Sequence, residues 1–551
     1  MSKIITETPA DEITSPFPNP GKIFAGSLPR CFIYIFASCI LQWTYGLGAN
    51  MVQSNIIQLN GFFHATTTET TWLVGAYMAP NVSLSILLVK VRIQFGLRRF
   101  AELSIIGFLL ACLLNLFVFD LRTALVIRFF SGLAAAPIAS LAFFYMIEAF
   151  APAKKRTVGL SLNLLNVSLA IPLSRLISPS LIDNGAFHGL YSLEMGLALI
   201  GCCFIFYLPL TPIVRQKVLK KMDFVSYGFI AVGLGVNAAI MPVGRFYWWR
   251  EAAWMGWWLA FAVLCLTIAG VIELNRREPF IDIRWLFSKE ILHVAIVLMM
   301  FRILLSEQST MAANFFNLLG LLNREMFTMY AWIVCGTICG GLTCAVFYRP
   351  GLEDSFHIVA LVLLIIGSFM DSHATNLTRP SDMYLSQAMI GFGGALFLPP
   401  SLSKGFATAI ARGPNYITSF IAVFLFTQSS GGVMSSAFFG SMQTIFEKYH
   451  SNILTQNVVL SNPIVANEVK ALSNAYSHVL TDPQLVNAEG IASLSKKATL
   501  EANVLAYNDV FRLYSCIALA VLIVLLFNMT VRYYRKRKQT AFSPLGALTT
   551  N

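Results

Sequence analysis

Five charged residues lie inside long apolar stretches of the chain: Arg128, Arg175, Glu194, Arg302 and Glu307. A charge in the hydrocarbon core of a bilayer is costly unless it faces a partner or a polar cavity. A carboxylate that alternates between an arginine and water binds and releases a proton as its surroundings change. These residues therefore predict a site that couples proton movement to the movement of another solute. The alternative is a set of permanent salt bridges that hold helices in register.

Counting along the helices predicts which of these charges meet. At ~1.5 Å per residue, Arg128, Arg175 and Glu194 each lie about 10 Å from the same membrane face. Because buried charges need partners, we expect Glu194 to pair with Arg175 or Arg128. Arg302 lies near mid-membrane, and we expect Glu307 beside Arg302 or beside a cavity.

A second set of polar side chains interrupts the apolar helices and suits a substrate cavity. Its members are Asn50, Gln53, Tyr77, Asn163 and Asn166. Asn163 and Asn166 are three residues apart, which places them on one helical face. The alternative role for these amides is hydrogen bonding between helices.

A third set is expected at the cytoplasmic ends of the helices. It consists of Arg98, Arg99, Glu148 and Arg156. Ion pairs among these residues would hold the cytoplasmic side closed, so we predict that they form a gate.

Composition places the chain among polytopic membrane proteins. Of its 551 residues, 56% are hydrophobic and only 12% are charged, and the mean hydropathy is +0.68. The net charge of +12 is carried mainly by short loops, so it gives no reason to expect nucleic acid as a partner. The ten cysteines lie mostly in apolar stretches without accompanying His or carboxylate groups, which argues against a metal site. No nucleophile–His–carboxylate set is apparent either, and we expect neither an enzyme nor a cofactor.

Hydropathy predicts fourteen membrane-spanning helices, because a span needs about 20 mainly apolar residues. Lys and Arg concentrate in the loops after even-numbered segments, as in Lys154–Arg156, and in the tail after the last one. By the positive-inside rule, both termini are cytoplasmic. The predicted segments are 32–53, 70–91, 100–119, 121–149, 157–182, 187–210, 222–244, 254–273, 290–316, 327–348, 355–371, 382–406, 415–442 and 509–532.

The segments group into five regions of the chain. A tail (1–30) precedes a bundle of six helices (31–210), two inserted helices follow (222–273), and a second bundle (290–532) precedes a tail (533–551). The loop 447–508 within the second bundle far exceeds the usual connection of about 4–6 residues. We expect it to form a helical hairpin above the membrane, with Asp482 as a helix cap before Pro483. The alternative is a loosely ordered loop.

Three short motifs carry a family resemblance. Arg128-Phe-Phe-Ser-Gly132 resembles the fourth-helix motif of the major facilitator superfamily, and Gln94–Phe100 resembles its cytoplasmic Gly-x-Arg-Arg loop. Trp72–Tyr77 resembles the second-helix motif of the fourteen-helix drug:proton antiporters of the EmrB/QacA type. The resemblance covers essentially the whole chain. It implies an all-α membrane fold in which two six-helix bundles enclose a central cavity, with two extra helices between them.

The sequence departs from the motifs of this family at three places. Ile93 stands where the loop motif has an Asp, and Ser178–Leu181 replaces the Gly-Pro motif of the fifth helix. The first helix has no acidic residue between Leu41 and Asn60. These differences leave the expected fold unchanged, but they weaken the case for proton antiport and for cationic drugs.

The resemblance implies a secondary transporter that exports small amphipathic or toxic organic compounds by proton antiport with alternating access. The chain has no P-loop sequence, so an ion gradient would supply the energy. Import or facilitated passage of an organic solute is the alternative, and a membrane sensor is a more distant one. The expected surroundings are the lipid bilayer of a bacterial inner membrane. The resemblance also implies a periplasmic adaptor and an outer-membrane channel as partners.

Overall fold

The computed structural model describes residues 23–182, 186–212, 215–277 and 279–542. Most of the predicted N-terminal tail (1–22) and the end of the C-terminal tail (543–551) lie outside the described residues. Fourteen long helices follow one another in the described ranges: α1 Leu28–Ser54, α2 Thr67–Phe95, α3 Leu97–Leu114, α4 Leu121–Glu148, α5 Leu160–Ile182, α6 Ala186–Tyr207, α7 Lys221–Ile240, α8 Ala253–Leu274, α9 Lys289–Leu304, α10 Phe327–Phe347, α11 Glu353–Asp371, α12 Tyr384–Arg412, α13 Pro414–Asn457 and α14 Pro483–Phe542.

Thirteen helices in the described part of the chain are long and apolar enough to cross a membrane. The long helix outside this set is α12, which carries Gln387, Pro399 and Pro400 within its apolar stretch. A helix satisfies its own backbone hydrogen bonds, which is why a chain this apolar is built from helices. We call the membrane face where α1 begins the tail face, and the opposite face the hairpin face.

The helices form two bundles, as predicted. One apolar core lies within the first six helices, α1 through α6, and includes the buried Leu41, Phe108 and Leu141. A second core joins α9 to α14 and includes the buried Phe301 and Phe397. The helices α7 and α8 form a pair that packs on α2 through a smaller core. The predicted fold class, an all-α polytopic membrane protein with two six-helix bundles and two extra helices, is confirmed.

Buried ion pairs hold the inserted pair α7–α8 to the first bundle at the tail face. Asp223 of α7 is fully buried and accepts from Lys90 of α2 at 3.1 Å and from Arg276 at 2.5 Å. Arg276 also reaches Glu273 of α8 at 2.9 Å. Such a cluster is costly to break, because each member would leave the others buried without partners.

The loop between α13 and α14 forms the expected helical hairpin. Both helices extend past the membrane region, and a short helix that lies between them in the sequence, Pro463–Asn474, packs on α14. The packing is close at Gly490 of α14, where an added Cβ would lie 2.0 Å from Ser473 Oγ. The Asp482 side chain caps α14 by accepting from the Gln484 amide at 2.9 Å.

Local irregularities place the charged residues. The helix α9 ends at Leu304 and continues through a wider π-helical turn, Glu307–Met311, into Ala312–Leu318. Such turns are common at functional sites because they change which face of a helix the following side chains occupy. Here the turn contains Glu307, which faces the second bundle, and Gln308, which faces a cavity between the bundles.

Candidate functional site

The two bundles enclose a central cavity of about 210 Å³. It is lined by both bundles and by Pro242, which follows α7. Arg302 is the one charged lining residue among those the structure describes. The polar lining residues are Gln42, Tyr45, Asn50, Gln53, Ser168, Arg302, Gln308, Ser309, Thr310, Tyr330, Thr337, Gln428 and Ser436.

Two of the five predicted cavity residues, Asn50 and Gln53, line this cavity. The other three lie elsewhere. Tyr77 is buried inside the first bundle, and the Asn166 amide donates to Cys39 Sγ at 3.1 Å. Asn163 is also buried and is not part of the lining. Asn166 thus bonds to α1, which is the interhelical role that the sequence left open, whereas Asn163 Oδ1 is buried without a hydrogen-bond partner among the described residues.

Sequence reasoning missed most of the polar lining. A usable signal was present on α1, where Gln42, Tyr45, Ala49 and Gln53 recur at intervals of three or four residues and share one helical face.

Arg128 is fully buried within the first bundle and is held by three groups. Its Nη1 donates to the Gly48 carbonyl oxygen at 2.9 Å and to Tyr191 Oη at 2.8 Å. Its guanidinium carbon lies 4.2 Å from the centroid of the Tyr77 ring, a cation–π contact. The arginine therefore ties α4 to α1, α2 and α6.

The predicted ion pair of Glu194 with Arg128 or Arg175 is wrong. Glu194 is 2% exposed, yet no basic group of the described chain lies within 4 Å of its carboxylate. The backbone of α1 intervenes: a Cβ added to Gly48 would lie 2.2 Å from Glu194 Oε1, while the Gly48 carbonyl accepts from Arg128. A similar position along the helices, counted in residues, does not fix which way a side chain points around its helix.

Arg175 instead joins the two bundles near the hairpin face. It donates to Asn323 Oδ1 at 3.2 Å and to the Ser309 carbonyl oxygen at 3.2 Å. Asn323 precedes α10, and its Nδ2 donates to the Ser54 carbonyl oxygen and to Asn55 Oδ1, each at 2.8 Å. We call this set, Ser54, Asn55, Arg175, Ser309 and Asn323, the hairpin-face latch.

A pair of buried carboxyl groups lies in the second bundle. The Gln387 side-chain amide donates to Glu307 Oε1 at 3.1 Å and to Asp371 Oδ2 at 2.7 Å. Ser386 Oγ donates to the other oxygen of Asp371. Glu307 is 0% exposed and Asp371 is 2% exposed. Two carboxyl groups that share one amide so deep in the protein favour a state in which a proton is bound.

The sequence analysis did not single out Asp371, which is the last residue of α11. It also predicted that Glu307 lies beside Arg302 or beside a cavity, and the first of these is wrong. Arg302 donates to the Gln428 carbonyl oxygen and Glu307 accepts from Gln387, and the two form no ion pair within 4 Å in the described structure. Gln308 connects the carboxyl pair to the central cavity, since its side chain lines the cavity and donates to the Gln387 carbonyl oxygen at 2.7 Å.

The four predicted gate residues do not pair with one another. Arg98 contacts Glu102 of its own helix at 3.0 Å, and Glu148 accepts from Thr211 Oγ1. Arg99 and Arg156 are exposed. Their role as a cytoplasmic gate remains a prediction.

Contacts at the tail side of the cavity are small and mostly apolar. Ser161 of α5 donates to Cys344 Sγ of α10 at 3.5 Å. A Cβ added to Gly341 would lie 2.8 Å from Leu165 Cβ, and the rings of Phe143 and Phe406 stack with centroids 6.5 Å apart. The bundles therefore touch on both sides of the cavity, through a polar latch at the hairpin face and close van der Waals packing toward the tail face.

A cavity between two six-helix bundles, with broken helices and buried charges around it, is the arrangement of a carrier. The sequence profile of the Major Facilitator Superfamily matches residues 38–436 of the chain. The chain belongs to this superfamily. Membership identifies a secondary transporter of small molecules that spans a membrane and explains why the central cavity lies where the two bundles meet.

Two curated members of the superfamily are similar in sequence. The "Fatty acid resistance protein FarB" of Neisseria gonorrhoeae is 23% identical over 226 residues, which cover 40% of this chain and 44% of that protein. The "Probable multidrug resistance protein EmrY" of Escherichia coli is 21% identical over 257 residues, which cover 46% of this chain and 47% of that protein. The matched part thus spans less than half the length of each.

Solved structures of transporters share the fold at low identity. The human organic anion transporter MFSD10 aligns over 89% of this chain and 99% of its own, with a TM-score of 0.52 at 13% identity. A POT family transporter in complex with 5-aminolevulinic acid aligns over 92% and 97%, with a TM-score of 0.53 at 14% identity. These likenesses concern the fold alone.

Proposed function

We propose that this protein exports small amphipathic or toxic organic compounds in exchange for protons. The observation that carries the proposal is the Glu307–Asp371 pair, buried behind the cavity and connected to it through Gln387 and Gln308. Export of this kind also agrees with the names of the two curated relatives, a fatty acid resistance protein and a multidrug resistance protein. We also propose that the chain is of the fourteen-helix EmrB/QacA type within the superfamily.

The position of the pair suits a proton that enters from the hairpin face. Asp371 ends α11 at that face, and Gln387 lies in the first turn of α12. A proton that binds one of the two carboxyl groups removes a buried negative charge. The proton leaves toward the tail face when the cavity opens there, and the pair regains the charge. Gln308 lines the cavity where substrate binds, and it also bonds to Gln387, which holds the carboxyl pair. Binding of substrate and binding of a proton can therefore oppose each other.

Glu194 is the second candidate for proton binding, as the sequence predicted. It is buried at Gly48 without a basic partner within 4 Å among the described residues. An isolated buried carboxylate is stable only when it is protonated or when it faces water at some stage of the cycle. Arg128 lies on the other side of Gly48 and would stabilise its charged form when that stage is reached.

Proton release tests the proposal directly. Substrate is added to the purified protein in a weakly buffered solution that contains a pH indicator. We expect substrate binding to release protons from the wild type and from Asp382→Asn, which changes an exposed acid at the same face. Glu307→Gln with Asp371→Asn should abolish that release, and should also abolish pH-driven transport in proteoliposomes. Unchanged release and unchanged pH-driven transport in the double variant would refute the assignment.

We further propose that the protein lies in a bacterial inner membrane with both termini in the cytoplasm. Its hairpin would then dock a periplasmic adaptor protein that connects it to an outer-membrane channel. Support comes from large apolar side chains at the tip of the hairpin. Leu460, Ile464 and Val479 are 60%, 78% and 81% exposed. The tip stands beyond the membrane region, where such side chains would be covered best by another protein.

A further inference from the structure

Arg302 presents an unpaired cation to the central cavity. Its Nε donates to the Gln428 carbonyl oxygen at 3.2 Å, which fixes the guanidinium, and neither terminal nitrogen has a hydrogen-bond partner among the described residues. No carboxylate of the described residues lies within 4 Å of it. A guanidinium at this depth is costly without a partner, and its planar pair of terminal nitrogens matches a carboxylate.

A second donor beside Arg302 also lacks an acceptor. The side chain of Gln428 lines the cavity, and its buried Nε2 has no hydrogen-bond partner in the described structure. Unpaired buried donors are rare because each costs the free energy of its lost hydration. Arg302 and Gln428 are thus neighbours in the cavity wall, and each has a donor group without an acceptor among the described residues.

The surrounding charges favour an anion at this place. Arg175 lies behind the wall toward the hairpin face, where its guanidinium carbon is 5.7 Å from the centroid of the Tyr330 ring, a ring that lines the cavity. Glu307 and Asp371, the buried acids of the second bundle described above, do not line the cavity and are bound by Gln387. An organic cation in the cavity would meet Arg302 and find no carboxylate in the described lining.

The cavity also has room and apolar walls for the rest of such a molecule. Gly431 and Gly432 lie against the Arg302 side chain, and a Cβ added to Gly432 would come within 3.3 Å of Nη2. Val74, Met78 and Leu398 contribute apolar wall. This arrangement fits a ligand with one anionic group and an apolar body.

We infer that the central cavity is an organic-anion site in which Arg302, supported by Gln428, binds the carboxylate of an amphipathic acid. The inference rests on the proposed function in one respect, that this cavity is the substrate site. It specifies the class of substrate as anionic.

The test compares three naphthalene ligands that share a ring and differ in charge: 2-naphthoate, 2-naphthamide and 2-naphthylmethylamine. Their binding is measured by isothermal titration calorimetry on the full-length protein in phosphatidylcholine nanodiscs at pH 7. A charge-assisted pair should make naphthoate bind about 10–100-fold more tightly than the neutral amide. The amine should bind more weakly than the amide.

Variants distinguish the loss of the Arg302 guanidinium from a general disturbance of the fold. Arg302→Gln should lower naphthoate affinity to that of the amide and leave amide binding unchanged, which also shows that the cavity is intact. Arg302→Lys should keep part of the preference. Arg92→Gln is the matched control, because the Nε of this buried arginine likewise donates to a backbone carbonyl, that of Leu88, at 3.2 Å, but lies outside the cavity lining.

Four results would overturn the inference: equal binding of the three ligands, tightest binding of the amine, no binding of any of them to the wild type, or a naphthoate preference that survives in Arg302→Gln. The measurement uses no gradient, so its outcome is separate from that of proton coupling. If the Glu307 and Asp371 variants keep pH-driven transport while naphthoate still binds selectively, coupling by that pair fails and the anion site stands.

Discussion

Asn323→Ala should open the cavity at the hairpin face. Asn323 belongs to the second half of the chain, and its side chain bonds to Ser54, Asn55 and Arg175 of the first. At roughly 1 kcal/mol for each of these three hydrogen bonds, the closed arrangement loses about 3 kcal/mol relative to an open one. Since 1.4 kcal/mol corresponds to a factor of ten, the open fraction should rise by about 100-fold.

The rate at which a thiol in the cavity is modified measures that fraction. Gln53, which lines the cavity, is replaced by cysteine in a background in which the ten native cysteines are replaced. A charged, membrane-impermeant thiol reagent is then added at the hairpin face. We expect Asn323→Ala to raise the modification rate by about 10–100-fold, up to the limit at which the cavity is always open.

The control is Asn60→Ala at the same face. Asn60 donates to Thr67 at 2.9 Å within the first bundle, so its loss removes an amide without releasing the second bundle. An unchanged modification rate in a folded Asn323→Ala variant would refute the latch. An equal increase in Asn60→Ala would show that general loosening of the hairpin face, rather than a bond between bundles, controls access.

Three further predictions concern other parts of the molecule. Gly132→Ala should lower the melting temperature and the transport rate, because the added Cβ would lie 2.1 Å from the Tyr77 carbonyl oxygen of α2. Gly107→Ala is the control, since an added Cβ there has nothing within 4 Å. Thermal melts in detergent compare the two variants, and equal melting temperatures would contradict the close packing at Gly132. Arg128→Ala should abolish transport while the protein still reaches the membrane, which surface expression and uptake assays measure together; normal transport would disprove a role for this cation. Replacing residues 455–500 by a short Gly/Ser linker should abolish export from whole cells but preserve substrate-driven transport in proteoliposomes; equal loss in both would assign the loop to the carrier itself, and no loss in either would make it a spacer.

The fold could be predicted because a membrane-spanning helix is recognisable from its own residues alone. An apolar stretch of sufficient length must form a helix in a bilayer whatever its neighbours are, so hydropathy alone located the fourteen long helices. The capping pattern at Asp482 and Pro483 likewise depends on a few adjacent residues, and the structure begins α14 at Pro483.

The charge partners could not be predicted in the same way. Depth follows from counting residues, but the direction of a side chain depends on how each helix is rotated and on what lies between. Gly48 separates Glu194 from Arg128 only because α1, α4 and α6 meet there. Asp371 is the last residue of a helix, and Asn323 lies in the connection before α10. Polar residues are common at such places, so the sequence gives no reason to single these two out. Asn323 matters because its partners Arg175 and Ser54 lie 148 and 269 residues away in the sequence. Asp371 matters because Gln387 joins it to Glu307, which the π-helical turn positions.

The inserted pair α7–α8 makes the two ways of opening the carrier unequal. At the tail face it is fastened to α2 through Asp223, whereas at the hairpin face the connection between its helices touches α13, where Trp249 Nε1 donates to Ser441 Oγ at 2.7 Å. Rocking the bundles apart at the hairpin face must break this contact together with the bonds of Asn323, while rocking at the tail face leaves both intact. We therefore expect the resting protein to be closed toward the hairpin face. Under the export proposed above, a compound released at that face then has no open route back through the carrier.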